Sequence, residues 1–182
     1  MKDYIIMKKN FSRLDIFSIY ILIMIISGII GFIYEEIFYY FDLGYLVKRG
    51  STFGPWIPIY AFGGIFITFF SYRYRKKPFY AFIISLIVTT TLEFGTGMIL
   101  DKVFHIRLWD YGKEILNFGN IGGYICFRSV FLFAIAGLFL IYSVIPIIFK
   151  IVSHFKSSKF NIFCLVLLMI FLLDMVIYSI LK

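Results

Sequence analysis

Residues 16–41, IFSIYILIMIISGIIGFIYEEIFYYF, decide the fold. A helix needs about 20 mostly apolar residues to cross a bilayer, and this run exceeds that length. It holds no charge before Glu35 and Glu36. It is too long for the apolar part of a cleavable signal peptide, and no small-x-small cleavage site follows it. The run is therefore expected to stay in place as a membrane anchor.

Working outward, residues 54–72, 79–100, 121–149 and 161–181 repeat the pattern. Of the 182 residues 62% are hydrophobic and 15% charged, whereas a soluble chain is about 45–50% apolar and about 25% charged. The expected fold is all-α: a polytopic membrane helix bundle with about five spans. Residues 1–15 read as a basic cytoplasmic tail and 16–182 as one transmembrane domain. The first and fourth runs exceed the minimum, so they tilt, protrude or carry a break, and Pro146 marks a break late in the fourth. The second opens with Gly54-Pro55-Trp56-Ile57-Pro58, which suits either a first helical turn or a re-entrant entry.

The net charge of +8 does not form one stripe, so nucleic acid is not expected as a partner. Lys and Arg fall in the short segments between runs, where they meet anionic lipid and set orientation. Lys2, Lys8, Lys9 and Arg13 lie before the first run, Arg73, Arg75, Lys76 and Lys77 after the second, and Lys150, Lys156 and Lys159 after the fourth. The alternate segments hold Lys48 and Arg49, then Lys102, Arg107 and Lys113 diluted by Asp101, Asp110 and Glu114, then Lys182. This alternation predicts the N-terminus inside and the C-terminus outside a multi-pass cell-membrane protein. Cys126 and Cys164 lie inside apolar runs, so no disulfide framework is expected. His105 and His154 are isolated, and no metal site is expected. No phosphate-binding loop, dinucleotide motif or nucleophile elbow is present, so this chain should hold no cofactor, and ATP could act only through a separate ATPase subunit.

The informative residues are charges inside the runs: Glu35 and Glu36, Glu93, Arg128 and Asp174. A charge at the centre of a membrane helix costs roughly 2.5–3.5 kcal/mol, so such groups usually face each other or a wet cavity. At about 1.5 Å per residue, Glu36 lies roughly 8 Å, and Glu93 and Arg128 about 10 Å, inside the outer ends of their runs. Asp174 is at similar depth. Glu36, Glu93, Arg128 and Asp174 are thus the candidate substrate- or ion-binding residues, with Arg128 expected to pair with Glu93 or Glu36. The competing explanation is snorkelling of separate charges to the headgroups. Of Glu35 and Glu36, one must point elsewhere, since neighbours on a helix diverge by about 100°. Thr89-Thr90-Thr91 and Gly95-x-Gly97 beside Glu93 suit close helix packing.

Two outer segments are dense in Gly, Pro, Trp and Tyr. One holds Gly54, Pro55, Pro58 and Tyr60; the other holds Trp109, Asp110 and Tyr111, then Asn120, Gly123, Ile125 and Cys126. Between them stands Leu92-Glu93-Phe94 with Gly97. An aromatic belt accounts for the rings but not for the prolines, glycines or Asp110. Taken in order, these blocks resemble a bacterial family of type IV ABC-transporter permeases. The chain departs from the pattern at Ala61, where Gly is usual, and in the looser spacing of Asn120-Ile121-Gly122-Gly123. The resemblance implies a transport component, with membrane lipids, a separate ATPase subunit and further copies of the chain as candidate partners.

Three functions are left to compare: a permease subunit with a polar site in the outer half of the bundle, an enzyme acting on lipid or isoprenoid headgroups, and a non-catalytic accessory of a membrane complex. The enzyme lacks paired His or Asp-rich metal motifs and would have to use only the carboxylates.

Overall fold

Ser12 starts the first helix. Its hydroxyl accepts from the Asp15 N–H at 3.1 Å while the Asp15 carboxylate accepts from the Ser12 N–H at 2.9 Å, a reciprocal cap on two orphan donors. In the computed structural model, which describes residues 11–154 and 157–181, this helix, α1, runs over Arg13–Leu43. It ends where Gly44 turns left-handed at φ 80° and returns its N–H to the Tyr40 carbonyl at 3.0 Å. At about 1.5 Å per residue α1 is roughly 46 Å long, so it projects beyond a hydrocarbon core of about 30 Å.

The remaining helices are α2 (Pro58–Ser71), α3 (Pro78–Val103), α4 (Phe127–Phe139), α5 (Ile145–His154) and α6 (Ser157–Leu181). No strand occurs among the described residues. Four helical stretches are long and apolar enough to cross a membrane: α1, α3, α4 continued through α5, and α6. The second run is the short one. Pro58 occupies the first turn of α2, and a 3₁₀ turn at Tyr72–Tyr74 extends its far end. Together they reach roughly 27 Å, close to the hydrocarbon thickness. The basic tail 1–10, Lys156 and Lys182 lie outside the described residues.

The fourth run does not break at Pro146. Leu140–Val144 widens into a π turn and the helix continues. Proline has no N–H and its ring crowds the carbonyl four residues back, here that of Tyr142. A wider turn immediately before it relieves that clash while the helical turns continue.

Small residues let α1 and α2 approach closely. A Cβ on Gly31 would stand 2.1 Å from Cγ of Tyr60, and one on Gly64 would stand 2.1 Å from Oγ of Ser27. The Ile57 N–H donates to the Gly28 carbonyl at 3.1 Å, which pins the entry of α2 to α1. Gly63 differs, because its Cβ would meet nothing within 4 Å. Gly31→Ala should therefore lower the melting temperature in detergent, at an overpacking cost of about 1–3 kcal/mol. Gly63→Ala should not, and equal melting of the two variants would refute the crossing described here.

Helix α6 packs on α1, while α3 lies between α2 and α4. The apolar core is built of Ile19, Ile23 and Ile25 of α1, Ile141 and Ile145 around the π turn, and Phe171 of α6. Asn161 donates to Asp15 at 2.9 Å and ties the start of α6 to the start of α1. Among the described residues, every acid except Asp15 lies in the opposite half of the bundle, with the ends of α1, α3 and α6 and the 104–126 segment.

Candidate functional site

The 104–126 segment folds into a cap over that end. Asp110 accepts from the Gly112 N–H at 3.0 Å and pairs with Arg107 at 3.3 Å. The Trp109 indole donates to the Tyr124 carbonyl at 2.9 Å, and its ring lies where a Cβ on Gly97 would stand 3.0 Å away. Gly123 is held at φ +79° by the Asn120 side chain, and a Cβ there would meet Nη2 of Arg107 at 2.0 Å. Only glycine suits both constraints. The consequence is that Tyr111 points down into the bundle, its N–H donating to the Gly123 carbonyl at 3.0 Å.

Beneath the cap is a cavity of about 30 Å³, enough for a water or a small ion. Its charged lining consists of Glu35, Glu93, Glu114 and Arg128. Aromatic rings, among them Tyr34, Phe38, Tyr39 and Tyr60, form much of the remaining wall.

Glu93 is 2% exposed. Its Oε1 accepts from the Tyr111 hydroxyl and its Oε2 from the Ser129 hydroxyl at 3.0 Å. Burial, with the carboxylate of Glu93 beside it, pushes the Tyr111 hydroxyl well above the ordinary tyrosine range. Tyr111 therefore acts as a neutral donor at any physiological pH.

Arg128 does not reach the headgroups. Its side chain is 10% exposed and its Nη2 meets Oε2 of Glu114 at 2.5 Å. The guanidinium lies 3.9 Å from the Phe38 ring centre, a cation–π contact. Its Nε and Nη1 are buried without a hydrogen-bond partner among the described residues, although the weakly accepting Cys126 thiol stands close.

The expected pairing of Arg128 with Glu93 or Glu36 is therefore corrected to Glu114. Glu114 also accepts from the Tyr39 hydroxyl. The sequence marked Glu114 only as a surface charge diluting the outer loop. The one available signal was its apolar flank, Ile115 and Leu116.

Two more expectations are corrected. Glu35, not Glu36, faces the cavity, and Arg49 pairs with it at 3.3 Å while lying 3.7 Å over the Tyr39 ring. Glu36 turns away to accept the Arg49 backbone N–H at 2.9 Å. Asp174 does not join the cluster. It accepts from the Phe53 and Gly54 N–H groups at 2.8 Å each and from the Trp56 indole at 2.7 Å. It sits on α6, which packs on α1 away from the chamber, and it holds the 51–56 loop. Gly54 and Pro55 belong to that loop, and Pro58 opens α2. Tyr60 contributes to the chamber wall, with its ring packed edge-on at 5.0 Å against Phe133.

Two of the three acids that line the chamber have a cation partner. Glu35 has Arg49 and Glu114 has Arg128. Glu93 has only two hydroxyl donors, and no Lys, Arg or His pairs with it among the described residues. An ionised carboxylate without a counter-charge is costly in such a place. Glu93 is the chamber acid that a proton or a bound cation would neutralise.

Two cavities adjoin the chamber. Toward the other end lies an apolar one of about 80 Å³, sharing Tyr60, Glu93 and Phe133 as a wall and reaching the π turn at Leu140 and Val144. Toward the cap lies a crevice of about 420 Å³ that meets the chamber at Glu35, Ile59 and Trp109.

A family model described as "Putative ABC-transporter type IV" matches residues 22–179. No curated protein and no solved structure matches the chain.

Proposed function

We propose, on the premise that the chain belongs to the type IV ABC-transporter family, that it is the membrane-spanning component of a transport system and binds a small monovalent cation, or the ammonium end of a larger substrate, at Glu93. The observation that carries this reading is the unpaired carboxylate: of the three acids that line the chamber, only Glu93 has no cation partner among the described residues. Aromatic rings around the carboxylates add favourable faces for a cation. The adjoining cavities give the chamber an approach from the cap and a continuation toward the π turn.

The basic end of the bundle, with Arg73, Arg75, Lys76 and Lys77 after α2 and Lys150 on α5, faces the cytoplasm in this reading of a plasma-membrane protein. The turn after α2 and the end of α5 are then the surfaces offered to a separate ATPase subunit. A reporter active only in the cytoplasm should work when inserted at 71–78 or 150–160 and fail when fused after Lys182. Activity at the C-terminus would overturn this orientation.

Transport itself is tested with membrane vesicles holding wild-type or Glu93→Gln protein at matched abundance. Uptake of labelled sodium, rubidium and methylammonium is followed in parallel. Wild type should accumulate at least one of these and Glu93→Gln none. Equal uptake in the two preparations would remove Glu93 from the function.

A further inference from the structure

The crevice of about 420 Å³ beside the polar chamber falls within the usual ligand-pocket range of about 300–1,000 Å³. Its character differs from that of the chamber. Ile59 of α2, Leu92 and Leu100 of α3 and Met175 of α6 supply apolar walls. Its charged lining is Lys48, Arg49 and Glu35, and the last of these is paired with Arg49, so Lys48 leaves the crevice with a net positive charge. Helix α6 packs chiefly on α1 while α3 packs on α2 and α4, and the crevice has walls from both α3 and α6. Leu92 to Leu100 spans about 12 Å along α3, less than the depth of one leaflet.

We propose that this crevice seats one anionic lipid from the leaflet at the capped end, with its phosphate against Lys48 and Arg49 and an acyl chain along Ile59, Leu92 and Leu100. The chemistry of the two ends fixes the class of ligand. A bare anion leaves the apolar walls uncovered, and a neutral amphiphile leaves the basic mouth unused. Arg49 contributes from a braced position, since its guanidinium already lies between Glu35 and the Tyr39 ring. Lys48 is exposed, and its contacts among the described residues are loose, 3.4 Å to the Phe53 carbonyl and 5.4 Å to the Phe53 ring centre, so it can swing onto a headgroup. The lipid site does not depend on cation binding at Glu93, and its failure leaves that reading untouched.

The test uses the full chain, reconstituted with equimolar phosphatidylglycerol and phosphatidylcholine, taken into mild detergent and weighed by native mass spectrometry. One phosphatidylglycerol per chain should be retained in preference to phosphatidylcholine. Lys48→Gln, a surface change, should reduce that preference about five-fold. Thr96→Trp, which fills the crevice from α3, should abolish retention. Millimolar inorganic phosphate or glycerol phosphate should not displace the lipid. Equal retention of the two lipids, an unchanged preference in Lys48→Gln, or a lipid that persists in folded Thr96→Trp would overturn the proposal. Displacement by inorganic phosphate would reduce the crevice to a simple anion site and overturn it as well. Should Thr96→Trp fail to fold, the Lys48→Gln ratio decides alone.

Discussion

Arg128→Ala is expected to leave little folded protein in the membrane. Among the described residues the guanidinium is the sole cation paired with Glu114, whose side chain is only 6% exposed, and removing it strands that carboxylate. Breaking one partner out of a buried pair costs about 3–5 kcal/mol, a large share of a stability of about 5–15 kcal/mol. The cation–π contact with Phe38 is lost too. Arg128→Lys should recover little, since a single ammonium cannot both meet Glu114 and cover the Phe38 face as a planar guanidinium does. Arg128→Ala combined with Glu114→Gln should recover most of the abundance, because the amide keeps an acceptor for the Tyr39 hydroxyl without a charge. Membrane abundance and melting temperature of the set read this directly. If Glu93→Gln rescues Arg128→Ala and Glu114→Gln does not, the pairing is wrong.

Glu93→Gln should behave oppositely: full abundance, with function gone. The geometry allows the exchange. The amide oxygen can accept from Tyr111 as Oε1 does. The amide N–H can donate to Ser129, whose hydroxyl then gives its proton to the Cys126 carbonyl, 3.0 Å away. Every hydrogen bond persists and an uncompensated charge is removed, so the melting temperature should stay or rise. Glu93→Leu removes both acceptors and strands the buried Tyr111 hydroxyl, at about 1–3 kcal/mol. A melting temperature of Glu93→Gln well below wild type, close to that of Glu93→Leu, would mean that the carboxylate is needed for the fold.

The spans were legible because about 20 apolar residues leave few alternatives to a membrane helix. Residues 54–72 were harder. Pro58 fixes where α2 starts, but nothing in the run states that only 14 residues form the helix, with a 3₁₀ turn completing it. Pro146 was visible as a disturbance, while the π turn at Leu140–Val144 that precedes it leaves no mark in the residue pattern. Charges within apolar runs pointed to Glu93 and Arg128, and the chamber does contain both. What the sequence could not supply is rotation and tertiary approach. Glu35 and Glu36 are adjacent in sequence, and only the packing of α1 on α2 decides which of them faces inward. Glu114 was hidden for a related reason. A loop carrying several charges reads as solvated until the Gly123 and Asn120 turn folds it over the bundle and buries one of them. Asp174 had the right depth but the wrong neighbours, since depth alone does not reveal that α6 packs away from the chamber.

The central claim is that Glu93 lacks a cation which a ligand supplies. A ligand that binds only the folded state stabilises it by mass action, by about 2.7 kcal/mol at a hundred times its dissociation constant. The direct measurement is therefore thermal unfolding of the purified chain at constant ionic strength. N-methylglucamine, too large for a chamber of about 30 Å³, is replaced stepwise by sodium, potassium, ammonium or methylammonium. The account predicts a saturable rise in melting temperature with at least one of these in wild type, absent in Glu93→Gln and retained in Lys48→Gln. No rise with any of them in wild type, or the same rise in Glu93→Gln, would contradict it.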